Sequence, residues 1–398
     1  MKELRRKIEQ EIRERGPIPF SRYMELCLYD PEFGYYSRNA GQFGKAGDFY
    51  TSSDVHAVFG RLLARQFEEM WRALGSPERI VIRELGPGRG LFAQDVMDWS
   101  EKKFSEFFRA LRYELVEQSS ALRERIAQTL ARRFEAGKAR FAGAESPHPS
   151  AGSGQAFSRT EHARNGAPKE SRAENAPTIV FANEFLDAIP VSVISSQGSL
   201  RIDSRDGRFL ETWVSAYAEE LEFLDRYSVH PEEGERVEVA LRAQKEMASA
   251  CAFETGFVVV IDYGYTRDEQ LAGRHRGTVK AIRQPSVSAN TFEAPGEQDI
   301  TADVNFTALS AIAEQCGFAV QKLITQSQFL MGIGEASQFA DAFEECRLPQ
   351  ERAKVALQLK HLVTPAGMGE SFHVLVASKG LDAKKTSALA GLSFGRQK

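Results

Sequence analysis

The sequence predicts an α/β protein with a Rossmann-like, doubly wound and mostly parallel sheet. An apolar run at 79–85 leads into a glycine-rich turn and a helical pattern, and a second run at 111–117 is again followed by a helical pattern. Two further runs, at 178–184 and 256–264, are apolar almost throughout, which is typical of strands buried on both faces. Strands that alternate with helices in this way form parallel sheets with right-handed crossovers.

The composition is that of an ordinary globular protein. The chain has 398 residues, of which 42% are hydrophobic and 27% are charged, so it can bury a large core. These values exclude collagen-like, fully disordered and disulfide-scaffold proteins. The formal net charge of -4 provides no general attraction for phosphate backbones, and we therefore expect no nucleic-acid partner.

Cysteine spacing and hydropathy indicate the compartment. Cys27, Cys251, Cys316 and Cys346 form none of the close pairs that zinc sites and redox motifs require, which favours a reducing compartment. No apolar stretch approaches the roughly 18 residues of a membrane-spanning helix. The charged N-terminal segment contains acidic residues, unlike a transit peptide. We therefore expect a cytoplasmic protein without membrane insertion.

The first 75 residues predict a helical region that packs on the core. Leu4, Ile8 and Ile12 recur at helical spacing near the start of the chain. Residues 54–74 place their large apolar side chains on one face of a long helix. The remainder, 76–398, is expected to form the main domain.

The main domain is expected to contain two insertions. Residues 143–177 are rich in Ser, Gly, Ala and Pro and predict a flexible surface segment. Residues from about 191 to 255 lie between two buried strands and predict an inserted α+β subdomain. The pattern then predicts a strand at 277–282, a helix at 305–318 and a final strand at 372–378.

The strongest local signal for a ligand site is the turn Glu84-Leu85-Gly86-Pro87-Gly88-Arg89-Gly90, which follows the first predicted strand. Glycines let the backbone turn tightly and let a ligand touch main-chain atoms. The third glycine comes one residue too early for the dinucleotide fingerprint, which argues against NAD and FAD. GKAGD at 44–48 lacks the spacing of a phosphate-binding loop. A purely structural turn remains the alternative.

Glu117 stands at the end of the second predicted strand. In nucleoside-binding α/β folds, an acidic residue at this place accepts hydrogen bonds from the ribose hydroxyl groups. S-adenosyl-L-methionine (SAM) contains adenosine and no phosphate, so a glycine turn followed by this carboxylate favours SAM as the cofactor. An exposed glutamate without a ligand is the alternative.

Polar side chains also follow the strand at 178–184. Asn183, Glu184 and Asp187 bring an amide and two carboxylates to the expected ligand-binding edge of the sheet. Methyl transfer requires a nucleophile aligned with the methyl carbon and an acceptor for any proton that it loses. Carboxylates suit a guanidinium acceptor. Helix capping by Asn183 and Glu184 is an equally good interpretation.

Several long motifs, in order along most of the chain, resemble the MidA-like methyltransferase family. This family includes the mitochondrial arginine methyltransferase that assists assembly of respiratory complex I. The similar segments are 16–36, 47–64, 84–90, 181–190, 261–265, 295–309, 325–334 and 368–375.

The resemblance implies a class I SAM-dependent methyltransferase with an acceptor protein, which a respiratory dehydrogenase subunit would fit. The implied acceptor is a protein arginine, and the sequence leaves mono- or symmetric dimethylation and the oligomeric state open. Asn183, Glu184 and Asp187 are the implied catalytic residues. The implied cofactor residues are Gly47, Asp48, Thr51, Ser52, Glu84, Gly86, Gly88, Gly90 and Glu117.

Two other functions stay open at this point. A SAM-binding assembly chaperone would need the cofactor site without catalysis, and a small-molecule methyltransferase would need a closed pocket. The seven histidines form no H-x-x-x-H pattern and no cluster with carboxylates, so we predict no metal.

Overall fold

A computed structural model describes residues 2–38, 57–143, 176–283 and 286–395. The helices are α1 Lys2–Arg15, α2 Phe20–Tyr29, α3 Tyr35–Arg38, α4 Ala57–Ala73, α5 Leu91–Lys103, α6 Ser105–Ala110, α7 Ser120–Thr129, α8 Ala131–Glu135, α9 Ala218–Tyr227, α10 Leu241–Ala250, α11 Arg267–Leu271, α12 Phe306–Gln315, α13 Gln326–Ala336, α14 Ala340–Phe343, α15 Pro349–Val363 and α16 Ala383–Ser387. The strands are β1 Ile18–Pro19, β2 Ile80–Leu85, β3 Leu111–Val116, β4 Ala139–Phe141, β5 Thr178–Asn183, β6 Ser192–Ser195, β7 Gly198–Arg205, β8 Arg208–Val214, β9 Val237–Val239, β10 Gly256–Tyr265, β11 Lys280–Arg283, β12 Ser286–Ser288, β13 Asp299–Thr301, β14 Val304–Asn305, β15 Ala319–Val320, β16 Ile324–Thr325 and β17 Phe372–Lys379.

The central sheet has the strand order β15-β17-β10-β5-β2-β3-β4. The pairs from β4 to β10 are parallel, whereas β17 runs antiparallel to β10 along eight residue pairs. The predicted doubly wound, mostly parallel sheet is therefore confirmed. The C-terminal strand β17 lies between β10 on one side and the short edge strands β15 and β16 on the other.

Helices cover this sheet on both faces. On one face, α4 and α5 pack through a cluster in which the rings of Phe92 and Phe181 stack at 4.5 Å. On the other face, Met247 of α10 and Leu309 of α12 belong to the cluster that buries Val258 of β10. Strands buried on both faces explain the continuous apolar runs in the sequence. Each large side chain that is fully buried stabilises the fold by about 1.5–3 kcal/mol.

The strand order reverses beside β2, because the chain continues to β3 on one side and later returns to β5 on the other. Ligands of doubly wound sheets bind at such a reversal, in the crevice outside the carboxyl ends of the strands. The segments that leave β2, β3 and β5 at this edge contain most of the site residues that the sequence predicts.

A second sheet is antiparallel and has the order β1-β7-β6-β9, with β8 paired to β7. Ile18 in the N-terminal strand pairs with Ile202, which lies in the predicted insertion. Leu4 of α1 and Tyr23 of α2 are buried in the same apolar cluster as Ile202. The N-terminal helices α1 and α2 thus pack on the second sheet, whereas α4 packs on the central sheet.

The predicted insertion at about 191–255 also contributes to both sheets. Strands β6 to β9 and helix α9 form the second sheet and its cover, and α10 returns to pack on the central sheet. The strand predicted at 277–282 was expected to continue the main-domain pattern. The structure instead pairs β11 with β12 and β13 in a separate three-stranded antiparallel sheet.

Some predictions fall wholly or partly on residues that the structure does not describe. The helix predicted at 54–74 is described as Ala57–Ala73. Most of the insertion predicted at 143–177 lies outside the described residues, as do Gly47, Asp48, Thr51 and Ser52.

Candidate active site

A cavity of about 480 Å³ lies at the carboxyl ends of β2, β3 and β5. The glycine turn, the segment after β3 and the loop after β5 form one side, and residues of α2 and α3 form another. The predicted site residues that line it are Glu84, Gly86, Gly88, Glu117, Asn183, Glu184 and Asp187.

The glycine turn is tied to the neighbouring segments. The N–H of Gly86 donates to the carbonyl oxygen of Val116 at 3.1 Å, which joins the turn to the end of β3. A Cβ atom at Gly86 would lie 2.6 Å from Cδ2 of Phe185, so glycine permits the close approach of the loop after β5. This contact places the predicted cofactor turn directly beside the predicted catalytic loop.

Gly90 differs from the other two glycines of the turn. It has φ of 78° and is the N-cap residue of α5. A Cβ atom there would contact Ile126 and Leu130 at 3.5 Å, and Gly90 is not among the residues that line the cavity. Its left-handed backbone starts α5 at this point, and its predicted cofactor contact stays a prediction.

Glu84 is buried beneath the turn. Its Oε2 accepts a hydrogen bond from the Tyr113 hydroxyl at 2.9 Å. Burial raises the pKa of Glu84 to about 8, although the hydrogen bond from Tyr113 acts in the opposite direction. Because its pKa lies above 7, Glu84 is mostly protonated and uncharged at neutral pH.

Glu117 follows β3 directly and lines the cavity. Its Oε1 accepts the backbone N–H of Ser119 at 2.7 Å, which fixes the side chain at the end of the strand. Burial raises the pKa of Glu117, whereas the N–H groups of Ser119 and Gln118 lower it. Ser119 also caps α7 by accepting the N–H of Leu122.

Asn183 and Glu184 end β5 with an unusual backbone. Glu184 has φ of 49°, a left-handed conformation that costs free energy for any residue with a Cβ atom. Its N–H donates to the carbonyl oxygen of Ile261 at 3.0 Å, and Nδ2 of Asn183 donates to Oε1 of Glu184 at 3.2 Å. Oδ1 of Asn183 is buried and has no hydrogen-bond partner among the described residues.

Asp262 holds this strained loop from the neighbouring strand β10. Its Oδ2 accepts three consecutive backbone N–H groups, from Phe185 at 3.2 Å, Leu186 at 3.0 Å and Asp187 at 3.3 Å. Burial, Asp187 and Glu184 raise the pKa of Asp262. Sequence reasoning missed its role, although a carboxylate within the apolar run 256–264 is a signal, since a buried charge requires partners.

Asp187 receives a hydrogen bond from the hydroxyl of Tyr263, the residue after Asp262. Its side chain is only 3% exposed, and burial raises the pKa of Asp187. Oδ1 of Asp187 has no hydrogen-bond partner among the described residues. A buried carboxylate oxygen without a protein donor, in the wall of a cavity, suits a ligand that brings a donor.

Two tyrosines of the N-terminal region close the same end of the cavity. The hydroxyl of Tyr29 donates to the carbonyl oxygen of Ala188 at 3.0 Å, and that of Tyr36 donates to Oδ1 of Asp299 at 3.0 Å. Their ring centroids are 5.4 Å apart. Sequence reasoning assigned no role to these residues, because their approach to Asp299 depends on packing between distant segments.

The cavity wall is strongly acidic. Arg242 donates to Glu25 at 2.7 Å, which neutralises one of the two guanidinium groups in the wall. The other is Arg89. Even with Glu84 neutral, carboxyl groups outnumber guanidinium groups in this wall, which favours a cationic ligand. The carboxyl-bearing residues that line the cavity are Glu25, Glu84, Glu117, Glu184, Asp187, Glu246 and Asp299.

The described residues contain neither a membrane-spanning helix nor a metal-binding cluster. In that part of the chain, no helix combines the length and apolarity needed to span a bilayer. The same residues contain no group of three or more His, Cys, Asp or Glu side chains arranged to hold a metal ion.

Comparison with known proteins identifies relatives along nearly the whole chain. Residues 62–324 match the family model of S-adenosyl-L-methionine-dependent methyltransferases. The mitochondrial protein arginine methyltransferase NDUFAF7 homolog of Drosophila melanogaster is 29% identical over 408 residues, which cover 95% of this chain and 85% of that protein. The mitochondrial protein arginine methyltransferase NDUFAF7 of Homo sapiens is 28% identical, with 92% and 81% covered.

A solved structure is similar over the entire fold. The crystal structure of a Burkholderia thailandensis protein bound to S-adenosyl-homocysteine has a TM-score of 0.77 and 27% sequence identity, and the match covers 99% of this chain and 95% of that chain. The similarity includes the second sheet as well as the central one, since nearly every residue of both chains is covered.

Proposed function

This chain belongs to the MidA-like family of SAM-dependent methyltransferases, and we propose that it methylates an arginine side chain of a partner protein. The enzyme class and the cofactor SAM follow from the family match and from the relative with bound S-adenosyl-homocysteine. The arginine acceptor is supported by the names of the curated relatives. It is also supported by one feature of the cavity, the two carboxylates of Glu184 and Asp187 beside the glycine turn.

The cavity fits SAM in its chemistry. Glu117 would accept the ribose hydroxyl groups, and the backbone of Gly86 and Gly88 would lie against the methionine part. The acidic wall complements a sulfonium cation. The buried Oδ1 atoms of Asn183 and Asp187 provide acceptors for donors on a ligand.

When bound, SAM supplies a methyl group on a positively charged sulfur. In our proposal, Glu184 and Asp187 accept N–H groups of the acceptor guanidinium and orient one nitrogen toward that methyl carbon. The nitrogen forms an N–C bond as the S–C bond breaks, and S-adenosylhomocysteine leaves. The guanidinium then loses one proton to the carboxylate of Asp187, whose raised pKa suits it to receive the proton and pass it to water.

Transfer of a labelled methyl group from SAM to three matched peptides tests this proposal. The peptides differ only in carrying arginine, lysine or citrulline at one position. We expect label on the arginine peptide alone, and mass spectrometry would distinguish mono- from symmetric dimethylation. Label on lysine, or only on a small guanidine compound, would replace the protein-arginine proposal.

Two conservative variants separate an enzyme from a SAM-binding assembly chaperone. Glu184→Gln and Asp187→Asn keep the side-chain shape and remove the charge. For an enzyme we expect turnover to fall about 100-fold or more, with the affinity for S-adenosylhomocysteine within about threefold of wild type. Unchanged function in the host with both variants would favour the chaperone alternative.

The partner and the compartment are further proposals. We propose a respiratory dehydrogenase subunit as the acceptor, supported by the resemblance to the family that includes a complex I assembly methyltransferase. The cytoplasm is supported by the wide spacing of the four cysteines. Mass spectrometry of methylarginine in respiratory subunits, with and without the gene for this chain, tests the partner. Identical methylation in both strains would contradict it.

A further inference from the structure

The cavity wall combines segments of the central sheet with segments of the N-terminal region. The glycine turn and Glu117 belong to segments of the central sheet, whereas Tyr29 and Tyr36 belong to α2 and α3. Helix α2 packs on the second sheet through a separate apolar cluster, and α3 contacts α2 and α7. The N-terminal region therefore contributes a wall that the cofactor-binding fold itself does not provide.

Hydrogen bonds fix both tyrosines in this wall. Tyr29 is tied to the carbonyl oxygen of Ala188, the residue after Asp187, and Tyr36 is tied to the carboxylate of Asp299. Each hydroxyl group thus donates to the protein, and both tyrosines line the cavity. The two rings are 5.4 Å apart with an interplanar angle of 34°, so they form one continuous aromatic surface.

Carboxylates surround this aromatic surface. Asp187 and Asp299 are each 3% exposed and line the cavity, and Oδ1 of Asp187 accepts no hydrogen bond from the described residues. Glu25 pairs with Arg242 and also with Arg22 of α2. Aromatic faces and carboxylates both attract cations, and a planar guanidinium can stack on a ring while it donates to carboxylates at its edge.

We propose that Tyr29 and Tyr36, together with Asp187 and Asp299, form the subsite that binds the guanidinium group of the acceptor side chain. The inference rests on the proposed arginine methyltransferase function and names the residues that determine acceptor specificity. The aromatic surface favours a planar cation over a compact ammonium group, because ring stacking adds to the charge attraction only for the planar group. Anionic acceptors are excluded by Asp187 and Asp299.

Removal of the rings tests the subsite. In Tyr29→Leu and Tyr36→Leu, we expect KM for the arginine peptide to rise about tenfold, with the affinity for S-adenosylhomocysteine within about threefold of wild type. Tyr29→Phe and Tyr36→Phe keep the rings and should change KM less than about threefold. Asp299→Asn keeps an acceptor for the Tyr36 hydroxyl and removes a charge, so KM should rise several-fold.

A binding measurement covers variants that turn over too slowly for kinetics. Arginine and citrulline peptides are titrated calorimetrically into the complex of each variant with S-adenosylhomocysteine. Wild type should prefer arginine to citrulline, and the leucine variants should lose most of that preference. Tyr217→Leu is the matched control, since Tyr217 is 48% exposed and does not line the cavity. Thermal unfolding of every variant identifies any that has lost its fold.

The outcomes separate this inference from the proposed function. If wild type methylates arginine and the leucine variants keep its KM and its preference over citrulline, the subsite is wrong and the function stands. If the leucine variants instead lose affinity for S-adenosylhomocysteine, the rings bind the cofactor and the inference is overturned. If wild type methylates no arginine peptide, the proposed function fails. A rise in KM of the leucine variants for whichever cationic acceptor is used would still support a cation subsite.

Discussion

Oδ2 of Asp262 lies 3.0 Å from the backbone nitrogen of Leu186, and it accepts the N–H groups on either side as well. Three donors that converge on one oxygen hold the loop after β5 in a single conformation. That loop begins at Glu184, whose left-handed backbone would otherwise relax, and includes Asp187. We therefore expect Asp262 to act as a positioning residue for Glu184 and Asp187.

The variant Asp262→Asn tests this positioning role. Its amide group keeps the shape of the side chain but has only one oxygen and adds two donors that face backbone N–H groups. We expect kcat to fall about tenfold or more, because a small displacement of catalytic groups is costly, while the affinity for SAM changes less than about threefold. Steady-state kinetics and calorimetry measure the two quantities.

A matched control distinguishes positioning from general loss of stability. Glu238 is also a buried carboxylate that accepts two backbone N–H groups, from Thr278 and Val279, but it does not line the cavity. Glu238→Gln should lower the temperature of unfolding, Tm, and leave kcat of the folded protein unchanged. Equal losses of kcat in both variants would remove the special role of Asp262.

Gly88→Val tests the cofactor turn. Gly88 lines the cavity with φ of 53°, and a branched side chain there would occupy space that SAM requires. Gly137→Val imposes the same kind of backbone strain, since Gly137 has φ of 64° and open space around it, but it lies outside the cavity wall. We expect both variants to lose about 1–2 kcal/mol of stability.

Only Gly88→Val should lose affinity for SAM, by about tenfold or more, as measured by calorimetric titration. A folded Gly88→Val protein that binds SAM as wild type does would contradict the predicted contact between the turn and the cofactor.

Glu117→Gln tests the ribose contact. Oε1 of Gln can still accept the N–H of Ser119, so the side chain keeps its place while the second acceptor and the charge are lost. Hydrogen bonds to charged groups contribute about 1.5–3 kcal/mol, so we expect the Kd for SAM to rise about 10- to 100-fold. Glu124→Gln is the control for charge, since Glu124 is an exposed residue of α7. If the Kd for SAM changes equally in Glu117→Gln and Glu124→Gln, Glu117 does not bind the ribose.

Glu84 predicts a pH dependence of stability. Its pKa is raised to about 8 in the folded protein from 4.5, so its stabilising contribution is complete below about pH 4.5 and is lost as pH rises through 8. Glu84→Gln keeps an acceptor for Tyr113 and cannot ionise. Measured without SAM, the Tm of the variant minus that of wild type should increase by several degrees between pH 5 and pH 9. A constant difference would show that Glu84 does not titrate in this range.

Local sequence patterns were sufficient to predict the central sheet. The turn at 84–90 combines a strand, positive-φ glycines and a helix start within a few residues, and Ser119 caps the helix that the pattern predicts there. Glu117, Asn183, Glu184 and Asp187 could be identified because parallel strands bring their carboxyl ends to one edge. That edge is fixed by strand order alone.

The remaining parts of the site depend on contacts between distant segments. Tyr36 meets Asp299 only because α3 and β13 approach each other across 263 residues of sequence. β1 and β13 are two and three residues long, too short for a periodic pattern. The helix start at Gly90 could be predicted from the motif, whereas its distance from Ile126 and Leu130 depends on the packing of α7.

The pairing of Ile18 with Ile202 also has a consequence for biosynthesis. These partners are 184 positions apart, so at 5–20 residues per second the ribosome adds the second roughly 10–40 s after the first. Until then the apolar faces of α1 and α2 lack the surface that buries them, and contacts of such long range form slowly. We therefore expect the nascent N-terminal segment to bind chaperones, and the cavity acquires its tyrosine wall only after more than half of the chain has been made.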